Sequence, residues 1–220
     1  IFEYFSKTKL FDLESVRYYF SPRAPEELYK LDGSLQNLRF VGNWDNLNVF
    51  ENPDALERVY VSHEVRAPGK AAGMFQKLLS DPSIPNKYVL MERDVLDRFQ
   101  KINQLAVPTS ADSDVVSNVD VQPNIVRFQV DMSAGGLVVL SDVWWPGWGA
   151  SIDGQRTEIW PVNGGLHRGV YCPAGTHRIE LFYMPAKLLL GIQVSLATLI
   201  TIVAYATLVP LLRKVLVEGR

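Results

Sequence analysis

The sequence predicts a mainly β protein: a β-sandwich or jelly-roll-like domain, preceded by a smaller α/β portion and followed by one membrane-spanning helix. Three observations predict it. Short segments alternating apolar and polar residues recur every 8 to 12 residues beyond about Ser113. Gly136-Leu137-Val138-Val139-Leu140 is an unbroken apolar run that ends in a corner carrying three of the five tryptophans. Leu188 to Leu212 has no charged residue.

The chain opens with mixed aromatic and charged sequence, in which Ser15 to Phe20 is a short strand candidate ahead of a Pro22/Pro25 loop. Leu38 to Val41 and Leu47 to Glu51 read as a hairpin closed by the several-residue loop Gly42-Asn43-Trp44-Asp45-Asn46. Arg58 to Val65 continues as a third strand after the turn-forming Asn52-Pro53-Asp54. Ala71 to Leu79 carries Met74, Leu78 and Leu79 at helical spacing and is closed by Asp81-Pro82. Tyr88 to Met91 is a strand candidate. Glu92 to Leu105 places Val95, Leu96, Phe99 and Ile102 at helical offsets.

The later strands are better patterned. Val126, Phe128, Val130 and Met132 alternate with polar neighbours, the period of a sheet with one wet face. Leu137 to Leu140 lacks that alternation, as expected of a strand buried on both faces. Ser141-Asp142 and Pro146-Gly147 then break the chain into a corner. Asp153-Gly154 supplies the positive φ values of a two-residue hairpin turn, and Thr157 to Trp160 returns. Leu166 to Tyr171 is a strand, Pro173-Ala174-Gly175 a turn, and Thr176 to Tyr183 points His177, Ile179, Leu181 and Tyr183 to one face.

As a helix, the uncharged run from 188 to 212 reaches about 37 Å, enough to cross a hydrocarbon core. Arg213 and Lys214 follow it, so the positive-inside tendency sets residues 1–186 outside and the C-terminus in the cytoplasm. Gly191, Ser195, Thr198, Thr201 and Tyr205 fall in one stripe, expected to pack on neighbouring helices. The expected partition is 1–112 mixed α/β, 113–186 β-sandwich, either separate from the preceding strands or one domain with them, 187–214 span and flanks, and 215–220 tail.

Composition excludes several classes. With 220 residues, 47% hydrophobic and 21% charged, the chain can bury a sizeable core. A net charge of -2 offers no basic field for nucleic acid. The single cysteine, Cys172, has no disulfide or zinc partner. The chain starts at Ile1 with no charged-then-apolar leader, so a fragment or processed product is expected. His63, His167 and His177 are dispersed, and no metal or other cofactor is expected. Nucleophile elbows, phosphate loops and nucleotide fingerprints are missing, so no catalytic residue is assigned.

One set of residues bears on binding. Sugar rings stack their C–H faces on tryptophan while polar side chains take the hydroxyls, so Trp144, Trp145 and Trp148 with Asp142, Asn163 and Arg168 form a candidate glycan platform. The competing reading has the tryptophans wedge the core or rest at a membrane surface, and a buried strand leading into the corner favours packing. Asp142 and Asp153 flank the corner and form a conceivable acid/base pair, although both sit where turns favour Asp.

Leu13-Glu14-Ser15-Val16-Arg17-Tyr18, Val49-Phe50-Glu51-Asn52-Pro53 with Leu56 and Arg58, and Leu79-Ser80-Asp81-Pro82 form one group of motifs. The more specific group is Leu140-Ser141-Asp142, Pro146-Gly147-Trp148, Asp153-Gly154, Arg168-Gly169-Val170, Pro173-Ala174-Gly175-Thr176-His177 and Tyr183-x-Pro185. In this order and spacing they resemble the bacterial YfhO-like polytopic membrane proteins, related to glycosyltransferases that use lipid-linked sugars. Asn163-Gly164-Gly165-Leu166-His167 departs from the pattern. The resemblance implies the C-terminal part of a many-spanning protein, accessory to glycosyl transfer in cell-envelope glycan or teichoic-acid-type modification. Its implied partners are the lipid bilayer, the parent's other transmembrane helices, and a glycan or lipid-linked sugar. The catalytic acid of such enzymes is expected in an early loop that this sequence does not contain. The alternative is a non-catalytic, membrane-anchored module that binds glycan or protein.

Overall fold

The computed structural model describes residues 9, 12–31, 33–69, 73–81, 83–84, 87–103, 105 and 114–218. Its centre is a pair of antiparallel sheets. One runs β11 (Gln155–Thr157), β10 (Trp148–Ile152), β14 (Gly175–Tyr183), β8 (Ile125–Met132), β7 (Val115–Gln122). The other runs β12 (Ile159–Val162), β13 (His167–Cys172), β9 (Gly136–Leu140), β4 (Val59–Ser62). Val126, Phe128, Val130, Met132, Ile179 and Leu181 face Val138, Leu140, Val170 and Cys172 to make the core between them. The alternation read from β8 and β14 is therefore the inward face of the first sheet.

β9 is buried on both sides, as its apolar run predicts. Val138 and Leu140 enter the sandwich core, while Leu137 and Val139 point to a second cluster with Trp160, Val162, Leu96 and Phe99. The helix Arg93–Ile102 thus forms a third layer. Phe99 meets Trp160 edge-on at 5.2 Å, a geometry that adds about 1 kcal/mol to area burial. This helix stops at Asn103, whose backbone is extended and whose N–H and side-chain amide both donate to the Phe99 carbonyl. Short β5 (Val65–Arg66) and β6 (Val89–Leu90) pair in parallel beside it.

Several local expectations shift. The third strand of the opening segment, β4, does not extend the preceding hairpin. It pairs with β9 from Val59↔Leu140 to Ser62↔Leu137, so the sandwich draws one strand from the first 112 residues. The returning strand after Asp153-Gly154 changes sheets at Glu158, giving β11 in one and β12 in the other. Pro161 is tolerated because β12 is an edge strand. The first strand is Tyr18–Ser21, β1, because Ser15 takes a positive φ of 56° and breaks the run before it. With β2 (Arg39–Trp44) and β3 (Leu47–Glu51) it forms a small sheet ordered β1-β3-β2. The expected several-residue loop there is a two-residue turn, Asp45-Asn46, whose φ values of 46° and 67° suit the residues that best tolerate the left-handed region. The helix predicted over 71–79 is Met74–Ser80, and Ala71, Ala72 and Pro82 lie outside the described residues.

The chain leaves β14 into a helix, Ala186–Glu218. Within it Lys187–Pro210 is long and apolar enough to cross a membrane, about 36 Å for 24 residues, and none of it is buried against the domain. Thr198 and Thr201 return their hydroxyls to the carbonyls of Val194 and Ala197, so part of the polar stripe satisfies its donors within the helix.

Candidate functional site

The corner after β9 is held by residues far away in sequence. Ser141 donates its N–H to the Arg58 carbonyl at 2.9 Å, and its hydroxyl lies 2.6 Å from that of Ser15. Asp142 turns its carboxylate to two guanidinium groups, Arg168 at 2.7 Å and Arg58 at 3.0 Å. Arg168 is buried, places its guanidinium carbon over the Trp148 ring at 3.7 Å, and finds no partner for its Nε among the described residues. Burial draws this guanidinium below its usual range and Asp142 opposes the shift, so the charge persists at neutral pH. Trp148 in turn packs on Tyr183 at 5.4 Å. The result is a stack, Asp142 to Arg168 to Trp148 to Tyr183, ending three residues before the terminal helix.

The other three candidates are placed separately. Trp145 is 63% exposed, and Trp144 is half-buried with its N–H donated to the Gly165 carbonyl at 2.9 Å. Asn163 is wholly buried: its Oδ1 accepts from the Leu90 N–H at 2.9 Å, and its amide donates toward His167 Nδ1 at 3.1 Å. It faces the interior, away from the exposed tryptophan. Of the six platform residues, Asp142, Arg168 and Trp148 are therefore joined, Trp145 stands at the surface, Trp144 is tied to the Gly164-Gly165 turn, and Asn163 lies in the core.

Asp142 and Asp153 do not pair with each other: Asp142 follows β9 and turns to Arg168 and Arg58, whereas Asp153 follows β10 and turns to His177. Asp153 keeps the turn role, accepting from the Arg178 N–H at 2.9 Å and pairing with His177 at 2.7 Å. These bonds, the backbone one first, hold its carboxyl below the usual range. Asp142 serves the two arginines instead. Glu14 and Arg58 were not legible as members of this cluster. Burial, then the Asp142 charge, raises the Glu14 carboxyl, whose buried Oε1 has no partner among the described residues. Nothing local marks Glu14, because its neighbours come from a segment more than a hundred residues away.

Between the corner and the start of the terminal helix lies a groove of about 700 Å³ lined by Trp145, Trp148, Arg156, Tyr183 and Lys187 among others. Gly147 makes its floor possible: at φ 108° a Cβ there would lie 3.1 Å from Pro185 and 3.0 Å from the Tyr183 ring. Met184 donates its N–H to the Gly147 carbonyl at 2.7 Å, so this turn is bonded to the chain entering the helix. Chemically the groove offers an exposed indole for stacking and two cations, neither within 4 Å of a carboxylate among the described residues. No group of three metal-ligating side chains occurs among the described residues. No family model, curated protein or solved structure matches the chain.

Proposed function

We propose that this chain is a membrane-anchored, extracytoplasmic β-sandwich module that serves glycosyl transfer in the cell envelope, as the C-terminal part of a YfhO-like polytopic protein. The observation that carries this reading is the groove at the foot of the domain, which combines exposed Trp145 with Arg156 and Lys187 where the chain enters the terminal helix. An indole at that position stacks on a sugar ring, and the two cations take its hydroxyls or an attached phosphate. Arg213 and Lys214, just past the apolar span, favour a cytoplasmic C-terminus, which leaves the groove on the outer surface. A sugar carried on a lipid would then reach it from the bilayer without leaving the membrane plane. The module positions the saccharide, and the chemistry belongs to other parts of the parent protein.

A non-catalytic glycan-binding module is the second reading, favoured by the same exposed indole. Both predict saccharide binding and differ in whether the upstream reading frame encodes further spans. The test is a titration of the detergent-solubilised chain with envelope saccharides while tryptophan emission is followed. Trp145→Ala is expected to abolish the response, whereas a binding curve unchanged by that substitution removes the groove from the ligand site.

A further inference from the structure

Among the described residues, the small sheet β1-β3-β2 is covered on one face alone. Phe50 and Tyr19 point into a cluster with Leu28, Leu35 and Leu38. By the two-residue period of strands, Tyr18 and Phe20 point the opposite way, and the register sets Phe20 opposite Val49 and Trp44 opposite Leu47. The Phe20 and Trp44 rings meet edge-on at 6.3 Å, so they share that outer face. Tyr18, Phe20 and Leu47 are exposed, and Trp44 is 70% exposed. Adjacent exposed aromatics of this kind mark an interaction surface rather than scattered surface apolar residues.

The position of this sheet identifies what covers it. Its strands root at Arg17 and Asn52, where the Asn52 N–H donates to the Arg17 carbonyl at 2.7 Å. Arg17 pairs with Glu57 at 2.9 Å, the neighbouring Arg58 reaches Asp142, and Ser15 meets Ser141. The root is thus fastened to the corner whose Gly147 carbonyl is bonded to Met184, two residues before the terminal helix begins. The sheet is therefore rooted at the end of the domain from which the membrane-crossing helix departs. Val143, Trp145 and Met184, on the corner and on the chain entering the helix, are exposed as well, and Lys187 adds a cation at the helix entry. Tyrosine and tryptophan are the residues enriched at the headgroup level of a bilayer, where an apolar ring with one polar edge is solvated on both sides.

We propose that the outer face of β1-β3-β2 rests on the bilayer surface, with Tyr18, Phe20 and Trp44 entering the headgroup region as a second membrane contact beside the terminal helix. A single helix leaves the domain free to swivel. A second contact fixes its rotation and holds the groove at a constant height above the lipid. The inference rests on the terminal helix being inserted, and it is independent of whether the groove takes a sugar.

The test uses the full chain reconstituted into vesicles of phosphatidylcholine and phosphatidylglycerol. Flotation after an alkaline wash reports helix insertion separately. Trp44 is one of five tryptophans, so its signal is the emission of the wild-type chain minus that of Trp44→Phe. The expected result is a chain that floats, with a blue-shifted difference emission that loses more than half its intensity in lipids brominated just below the headgroup and resists aqueous iodide. Iodide quenching without bromolipid quenching, in a chain that floats, overturns the second contact and leaves the helix intact. Resistance to both quenchers also overturns it, since a second copy or another protein then covers the face. A chain that fails to float overturns the inserted helix and this contact with it.

Discussion

His167 provides a pH-dependent test of how the opening segment is joined to the sandwich. The ring is wholly buried. Its Nε2 lies 2.8 Å from the Leu13 carbonyl, which only accepts, so that nitrogen carries the proton. Nδ1 is then the acceptor for the Tyr60 hydroxyl at 2.9 Å and the Asn163 amide at 3.1 Å. A second proton on Nδ1 would break both bonds in a buried site. Burial lowers the pKa to about 4, with the Leu13 bond and Asp142 opposing the shift. The folded value lies below the 6.5 of an unfolded histidine, so the unfolded chain binds more protons between them. The stabilising contribution is complete above about pH 6.5 and is lost as pH falls through about 4. At ~1.4 kcal/mol per pH unit, that interval amounts to about 3 kcal/mol. The assay is urea unfolding of the solubilised chain from pH 7 to pH 4, run beside His167→Gln, which retains an amide donor and acceptor. The wild type is expected to lose about 3 kcal/mol more than the variant across that range. Parallel curves would refute the neutral, doubly accepting imidazole.

Two further outcomes follow from buried groups. Glu14→Gln is expected to raise the urea midpoint at neutral pH, because it removes a half-buried carboxylate beside Asp142 whose folded pKa is raised. The advantage should vanish as pH falls to where Glu14 is protonated in both states, so a gain that persists in acid contradicts the assignment. Cys172 is fully buried and its thiol is pushed up to about 12, by burial first and then by the Asp153 charge. A maleimide is therefore expected to leave the folded chain unlabelled at pH 7 and to label it stoichiometrically in denaturant. Rapid labelling of the native protein would show that the face between β13 and β8 opens to solvent.

The sequence by itself determined the features that live within one strand or one helix. In a strand, residues two apart share a face, so Val126 to Met132 announces its wet and dry sides, and the unalternating Leu137 to Leu140 announces two dry ones. Asp153-Gly154 specifies its turn through φ values that few residues adopt, and the uncharged run after Lys187 specifies a helix that needs a non-aqueous surround. Tertiary structure decided the rest. Arg58 and Asp142 are 84 residues apart, Ser15 and Ser141 are 126 apart, and β4 finds β9 across a similar gap. No local period records such partners. The same holds for the six platform residues: all are of the types a sugar site uses, yet the path of the chain sent Asn163 inward to the Leu90 N–H and laid Arg168 over Trp148. Residue type is set by the sequence alone. The face a side chain presents at a corner depends on backbone angles and distant neighbours, and for that reason Trp145 could be told from Trp144 and Trp148 only in the folded chain.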